Sequence, residues 1–515
     1  MRKWLLHGLA AGVLCIGTVC SALEMPEVFS DNMMLQRGKP VPVWGKTEPG
    51  AAVEVQFDSQ TVKTSAGLDG SWEVVLAAMD ASGKGKELSV RSGKECRIIK
   101  NVLVGEVWLA GGQSNMDATF YNLQHDNALE KPPMPDQVDF PDIRLFTVAH
   151  RVRPEPVDPK LTWKVATQET VYQFSGTAFY FAKELHEELN VPVGIICCAW
   201  GGTYAESWVS AGRLLDDVHC QSIFGDYAKL FGAYSSQQDY EKALVQYRQD
   251  NAVWSKKLAQ YRKTKDKKDH PGTHPQEPVG NQYYPRPCGL YESMFQTVVP
   301  YGISGIIFYQ GESNAQEKRG YQYRFVLKDM IENWRDDLHQ GHLPFLIVQL
   351  PTLPNYGGLP ELRESQFRVY KETPNCGLAV LVGDDGGGKL HPPDKAPVGH
   401  RLALWALKLA YGKNPEAVCG PLYESFEISG NKIIVRFAAG TGVPEARGGE
   451  LKDFELCGAD RNFVPAKAVI LPDNSIEVSC GQIQEPVAAR YGWKNSFVPT
   501  LFNKNGLPAS PFTTE

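Results

Sequence analysis

Val102-Leu103-Val104-Gly105-Glu106-Val107-Trp108-Leu109-Ala110-Gly111-Gly112-Gln113-Ser114-Asn115-Met116 reads as an apolar strand that runs out into small residues and then presents a serine. Open α/β sheets place their chemistry at the C-terminal edge of such strands. A helix starting just after Ser114 would aim its free N–H groups at whatever the serine attacks. Standing alone, Gly112-Gln113-Ser114-Asn115-Met116 would be a polar turn whose serine caps a helix. Three further segments change that reading.

The flanking sequence supplies the sheet. Strand-like runs recur at 193–199, 303–309, 344–350 and 377–382. Helical spacing appears over 177–189, where Ala178, Phe181, Ala182, Leu185 and Leu189 share a face, and again over 321–338 and 394–411. Alternating strands and helices predict a mostly parallel, three-layer α/β domain over 101–412. Residues 23–100 hold short alternating runs (41–45, 52–57, 71–76, 87–90) between turn signals such as Glu48-Pro49-Gly50, which predicts a small β domain of sandwich or jelly-roll type. From 413 to 515 the pattern returns to β, at 425–428, 432–437 and 475–478. Residues 238–287 interrupt the α/β pattern as a polar helical insertion followed by a Pro/His-rich loop, read as a solvated excursion.

Composition bounds the function. With 515 residues, 43% hydrophobic and 22% charged, the chain is a multi-domain globular protein. Its net charge of −6 and the lack of a Lys/Arg-rich face exclude a nucleic-acid partner. Arg2 and Lys3 before an apolar stretch from Trp4 to Val19, with Ser21 and Ala22 after it, predict a signal peptide over 1–22, and so a periplasmic or secreted protein. The stretch is too short for a membrane span. Cys20 raises a lipoprotein alternative, set against the bulk of Val19. Removing the leader makes the chain two charges more negative. Two of eleven cysteines go with it; the rest are irregularly spaced without C-x-x-C, so one or two bridges are possible and most are buried thiols.

Four segments then fall at one predicted sheet edge: Gly112 to Met116; Trp200-Gly201-Gly202-Thr203 with Tyr204 to Trp208; Gln310-Gly311-Glu312-Ser313-Asn314-Ala315; and Gly383 to Pro392, which contains His391. Acyl transfer needs what they offer. Ser114 is a nucleophile once His391 takes its proton. Oxyanion donors are available from the Ser114 N–H, from Gly201 or Gly202, and from the Gln310 or Asn314 side chain. G-x-S-x-G is absent, as are H-E-x-x-H and G-x-G-x-x-G, which argues against an α/β-hydrolase elbow, a metal hydrolase and a dinucleotide enzyme. No cofactor is expected.

These segments resemble the blocks of the sialate O-acetylesterase family of SGNH hydrolases. The likeness extends to Ser30-Asp31-Asn32-Met33-Met34-Leu35-Gln36-Arg37, to Arg490-Tyr491-Gly492-Trp493 and to Leu501 through Phe512. The resemblance implies a flavodoxin-like catalytic domain that removes acetyl esters from sugars, typically 9-O-acetylated sialic acid, with Ser114 as nucleophile and His391 as base. One departure stands out. Members carry an acidic residue two or three positions before the histidine, where this chain has Lys389 and Gly388. Losing the orienting acid of a serine-protease triad costs about 10⁴ in turnover. Glu312, then Asp384 or Asp385, are the candidate substitutes. Acetylated xylan or another plant glycan is the alternative substrate, and a non-catalytic glycan-binding relative the alternative class. Exposed aromatics such as Tyr204 or Trp208 would suit either sugar, and Arg319 would meet a sialate carboxylate.

Overall fold

Seven strands form the sheet that carries the site in this computed structural model, which describes residues 23–515 except 265, 318, 355 and 385. The expected leader, residues 1–22, lies outside the described residues. The strands are β1 (Glu95–Gly112), β2 (Asp139–Thr147), β3 (Lys164–Thr167), β4 (Val193–Ala199), β5 (Gly305–Tyr309), β6 (Phe345–Gln349) and β7 (Cys376–Val380). Their spatial order is β7-β6-β5-β1-β4-β2-β3. All are parallel except β3, which closes one edge antiparallel to β2. Strands β4, β5, β6 and β7 are buried throughout, as expected where helices cover both faces of a parallel sheet.

The helices that matter here are α1 (Ser114–Asp117), α2 (Gly176–Leu189), α3 (Glu312–Gln316), α4 (Gly320–Leu338), α5 (Leu359–Glu372) and α6 (Ala396–Leu409). On one face, Trp108 of β1 meets Phe181 of α2 edge-on at 5.0 Å, and Gly399 lets α6 lie close against α2. Residues 108 and 111 point to opposite faces of a strand. Gly111 accordingly faces Trp334 of α4, whose ring would be 2.8 Å from a Cβ at that position. The expected three-layer α/β domain is therefore present.

Its order places a crevice. From β1 the chain builds β2, β3 and β4 on one side, then returns to β5 on the other, so the strand order reverses beside β1. Ligands bind at such switch points, beyond the strands' carboxyl ends. The segments after β1, β4 and β5 are stitched there: Gln113 N donates to Tyr309 O at 3.0 Å and Trp200 N to Gly112 O at 3.1 Å.

Strand β1 is longer than its apolar run. Its first part pairs antiparallel with Ser82–Ser92, in a small β sandwich whose other strands are Val41–Lys46, Ala52–Phe57, Gln60–Ser65 and Ser71–Leu76. Its second part is the centre of the parallel sheet. Between them Asn101 adopts φ 56°, and Leu88 and Lys86 face Ile99 and Val102. One extra residue sits on β1, a bulge that bends the strand. Toward the C-terminus a seven-stranded antiparallel sheet from Tyr423–Ser429 to Phe512–Thr513 encloses a core including Ile433, Val435, Leu456, Tyr491 and Phe512. It is tied to the α/β layers by the fully buried Arg363 of α5, which donates to the carbonyls of Lys494 and Asn495 at 3.1 and 3.0 Å.

The insertion is mostly one 28-residue helix, Gln237–Thr264, exposed apart from positions such as Tyr240 and Leu244. The nine cysteines at 96, 197, 198, 220, 288, 376, 419, 457 and 480 are all free thiols, most of them buried. The one or two bridges considered possible do not form among the described residues. No described helix is long and apolar enough to cross a membrane.

Candidate active site

The turn after β1 depends on Gly112. Its φ is 137°, and a Cβ there would lie 2.1 Å from the Tyr309 carbonyl oxygen. Only glycine lets the chain pass so close to β5 and turn into α1. Ser114 opens α1, partly exposed. His391 Nε2 lies 2.9 Å from Ser114 Oγ, so a neutral imidazole accepts the hydroxyl proton at this distance. Burial pushes His391 below its ordinary pKa of 6.5; the Lys395 charge adds to that and Asp126 opposes it. The ring is therefore a neutral base at pH 7.

Backbone donors without a recorded partner lie in the same segments. The first N–H groups of a helix have no intrahelical acceptor, and among the described residues neither the Ser114 nor the Gly202 N–H has one. Gly201 is close enough that a Cβ would be 3.2 Å from Ser114 Cβ. Its own N–H, expected as a donor, is turned instead to Asp117 Oδ2 at 3.3 Å. The Tyr284 phenol, from the end of the insertion, donates to the Gly201 carbonyl at 3.2 Å. Three rings line up beside this turn: His150 stacks on Trp200 at 4.4 Å and Trp200 on Tyr284 at 4.7 Å. Burial pulls His150 down, but Asp117 and the Ala199 carbonyl outweigh it and raise its pKa.

Several expected site residues have other partners. The Gln310 amide donates to Gln113 Oε1, the Thr203 carbonyl and Asn314 Oδ1 at 3.1, 3.0 and 2.9 Å. Asn314 Nδ2 donates to Glu206 Oε2 at 2.9 Å. Both amides are buried and engaged in holding the segments to one another. Glu312 does not reach His391: it is buried against Asn115, which donates to Glu312 Oε1 at 2.7 Å. Asp384 pairs with Arg401 at 2.5 Å. Asp385 lies outside the described residues. Among the described residues no carboxylate pairs with the His391 ring.

Arg319 is no free cation, being paired with the buried Glu206 and seated 4.7 Å over the Tyr204 ring. Trp208 is not exposed; it is fully buried against Trp334, with Nε1 donating to Thr203 Oγ1 at 3.1 Å. Tyr204 is half-buried. One trio of donor atoms that could hold a metal, Asp217, Cys220 and Asp329, occurs among the described residues, outside the four site segments.

Three contributors were not legible beforehand. Asn115 and Asn127 hold the histidine loop by its main chain, through the Leu390 carbonyl at 3.0 Å and the His391 carbonyl at 3.2 Å. Lys395 lies buried behind them. Its one signal was a lysine at the start of a helix, where the macrodipole disfavours a cation.

Residues 104–230 and 277–385 match the family model for a carbohydrate esterase, the sialic acid-specific acetylesterase. The chain is 25% identical to human sialate O-acetylesterase over 532 residues, covering 94% of this chain and 91% of that protein. The mouse enzyme is also 25% identical, over 95% of this chain and 93% of its own. The crystal structure of a carbohydrate acetylesterase from Xanthomonas citri superposes with a TM-score of 0.74 at 30% identity, covering 96% of this chain and 99% of that one. The chain belongs to the sialate O-acetylesterase family. As a member of it the protein is a carboxylic ester hydrolase that acts on carbohydrates. The Ser114, Gly201 and Gln310 segments lie inside the matched blocks; the whole insertion helix and His391 lie outside them.

Proposed function

We propose that the protein hydrolyses O-acetyl groups on sugar hydroxyls, with 9-O-acetylated sialic acid as the first candidate substrate, through an acyl-enzyme on Ser114. The observation that carries this reading is the 2.9 Å contact between His391 Nε2 and Ser114 Oγ, beside two unengaged backbone N–H groups. Ser114 Oγ attacks the acetyl carbonyl as its proton passes to His391 Nε2. The Ser114 and Gly202 N–H groups receive the oxyanion, a contribution of roughly 3–4 kcal/mol per donor. Collapse breaks the bond to the sugar oxygen, which takes the proton back from His391. Water, deprotonated by the same imidazole, then releases acetate and restores Ser114. The reading includes export, with cleavage of the leader after Ala22.

The test is acetate release from 9-O-acetylated sialic acid, with Ser114→Ala alongside. Release that disappears in the variant supports nucleophile and substrate together. Activity confined to acetylated xylo-oligosaccharide moves the substrate to plant glycans. Equal release by Ser114→Ala overturns the mechanism.

A further inference from the structure

Among the described residues no carboxylate meets the His391 ring, and one amide anchors its loop instead. Asn115 Nδ2 donates to the Leu390 carbonyl at 3.0 Å and to Glu312 Oε1 at 2.7 Å, while its Oδ1 accepts from Lys395 Nζ at 2.6 Å. An ammonium can only donate and a carboxylate can only accept. A flipped amide would set its NH₂ against Lys395 and its oxygen against Glu312, so the two charges admit a single orientation. Asn115 is covalently next to Ser114, and Leu390 is covalently next to His391. One side chain therefore joins the nucleophile's turn to the base's loop, and its flanking charges come from α3 and from the start of α6.

We propose that Lys395, Asn115 and Glu312 form a positioning unit that holds His391 against Ser114 in place of an orienting acid. This rests on the Ser114–His391 reading above. The unit is buried: Lys395 and Glu312 are each 1% exposed, and Lys395 also sits 5.7 Å over the Tyr309 ring. Burial lowers Lys395 to about 7, with Glu312 and Asp394 pulling upward. Burial raises Glu312, with Asn115 and Lys395 opposing. The charged groups facing His391 are Lys395 and Asp126, and Asp126 is itself paired with Arg262 of the insertion. Loss of Lys395 thus removes the cation that disfavours the imidazolium.

Lys395→Met, Glu312→Gln and the double variant are compared with wild type on 4-nitrophenyl acetate, with Ser114→Ala as control. The expected result for Lys395→Met is a fall in kcat of about 10²-fold, the scale of a 1 Å misplacement, with KM little changed. The acid limb of kcat/KM should move to higher pH. Removing one member of a buried pair strands the other, so the single variants should melt lower. The double variant should recover Tm without recovering kcat, and it carries the test if a single variant does not fold. Recovery of kcat along with Tm would reduce the unit to a stability element and overturn the proposal. So would unchanged kcat and pH limb in Lys395→Met beside an inactive Ser114→Ala. An active Ser114→Ala would instead overturn the reading beneath it.

Discussion

Arg319→Ala discriminates between a structural ion pair and a substrate ligand. In the structure Arg319 is paired with Glu206, whose side chain is 3% exposed and whose second oxygen accepts from Asn314 at 2.9 Å. Removing one partner of a buried pair costs about 3–5 kcal/mol. Arg319 is itself 27% exposed, so water entering the vacated space lowers that to about 2–3 kcal/mol. Losing the cation over Tyr204 adds about 0.5–1 kcal/mol. Against an unfolding entropy of about 2.1 cal/mol/K per residue, a loss of about 3 kcal/mol in a cooperative unit of roughly 300 residues lowers Tm by about 5 °C. Scanning calorimetry at pH 7 measures it. Arg319→Met combined with Glu206→Gln should regain most of the loss, because no charge is left stranded. KM for acidic and neutral acetylated sugars should shift together. An unchanged Tm, with KM raised only for a carboxylate-bearing sugar, would refute the argument and make Arg319 a substrate ligand.

Two further outcomes follow from the site. His391 must be neutral to take the Ser114 proton, and its pKa lies below 6.5, so kcat/KM should hold down to pH 6.5 and fall only below it; a pH–rate profile with its acid limb above 7 would contradict this. Gly112→Ala places a methyl 2.1 Å from the Tyr309 carbonyl at φ 137°, so it should cost at least about 1–3 kcal/mol in backbone strain and cut turnover further by displacing Ser114, as read by urea unfolding and by esterase rate on the folded fraction.

Elements with an unmixed pattern were legible from the chain. The apolar runs of β4, β5 and β6 and the periodic faces of α2, α4 and α6 lie within a few residues of their expected positions. Elements whose buried positions are polar were not. Helix α5 hides its periodicity because Arg363, Glu364 and Gln366 sit inside, Arg363 and Gln366 donating to carbonyls of other segments and Glu364 accepting from Arg368. Strand β2 begins Asp139-Phe140-Pro141-Asp142 and is buried only over 143–146, so its apolar core is too short to declare a strand. The four site segments were recognisable because glycine follows each apolar run, with Ser114 in one segment and His391 in another. Which amide faces substrate and which faces inward depends on contacts between segments far apart in sequence. For that reason the inward contacts of Gln310 and Asn314 were not legible, and Trp208 looked like a surface ring.

The bulge at Asn101 has an architectural consequence. Strand β1 is one continuous 18-residue strand, at most about 60 Å long, with the accessory sandwich hydrogen-bonded to one end and Ser114 just beyond the other. No tether separates the two, so the sandwich cannot pivot as a hinged binding module does. Any glycan held by it would be presented to Ser114 at one fixed bearing, and a graft of this hydrolase onto another scaffold would have to bring residues 23–100 along.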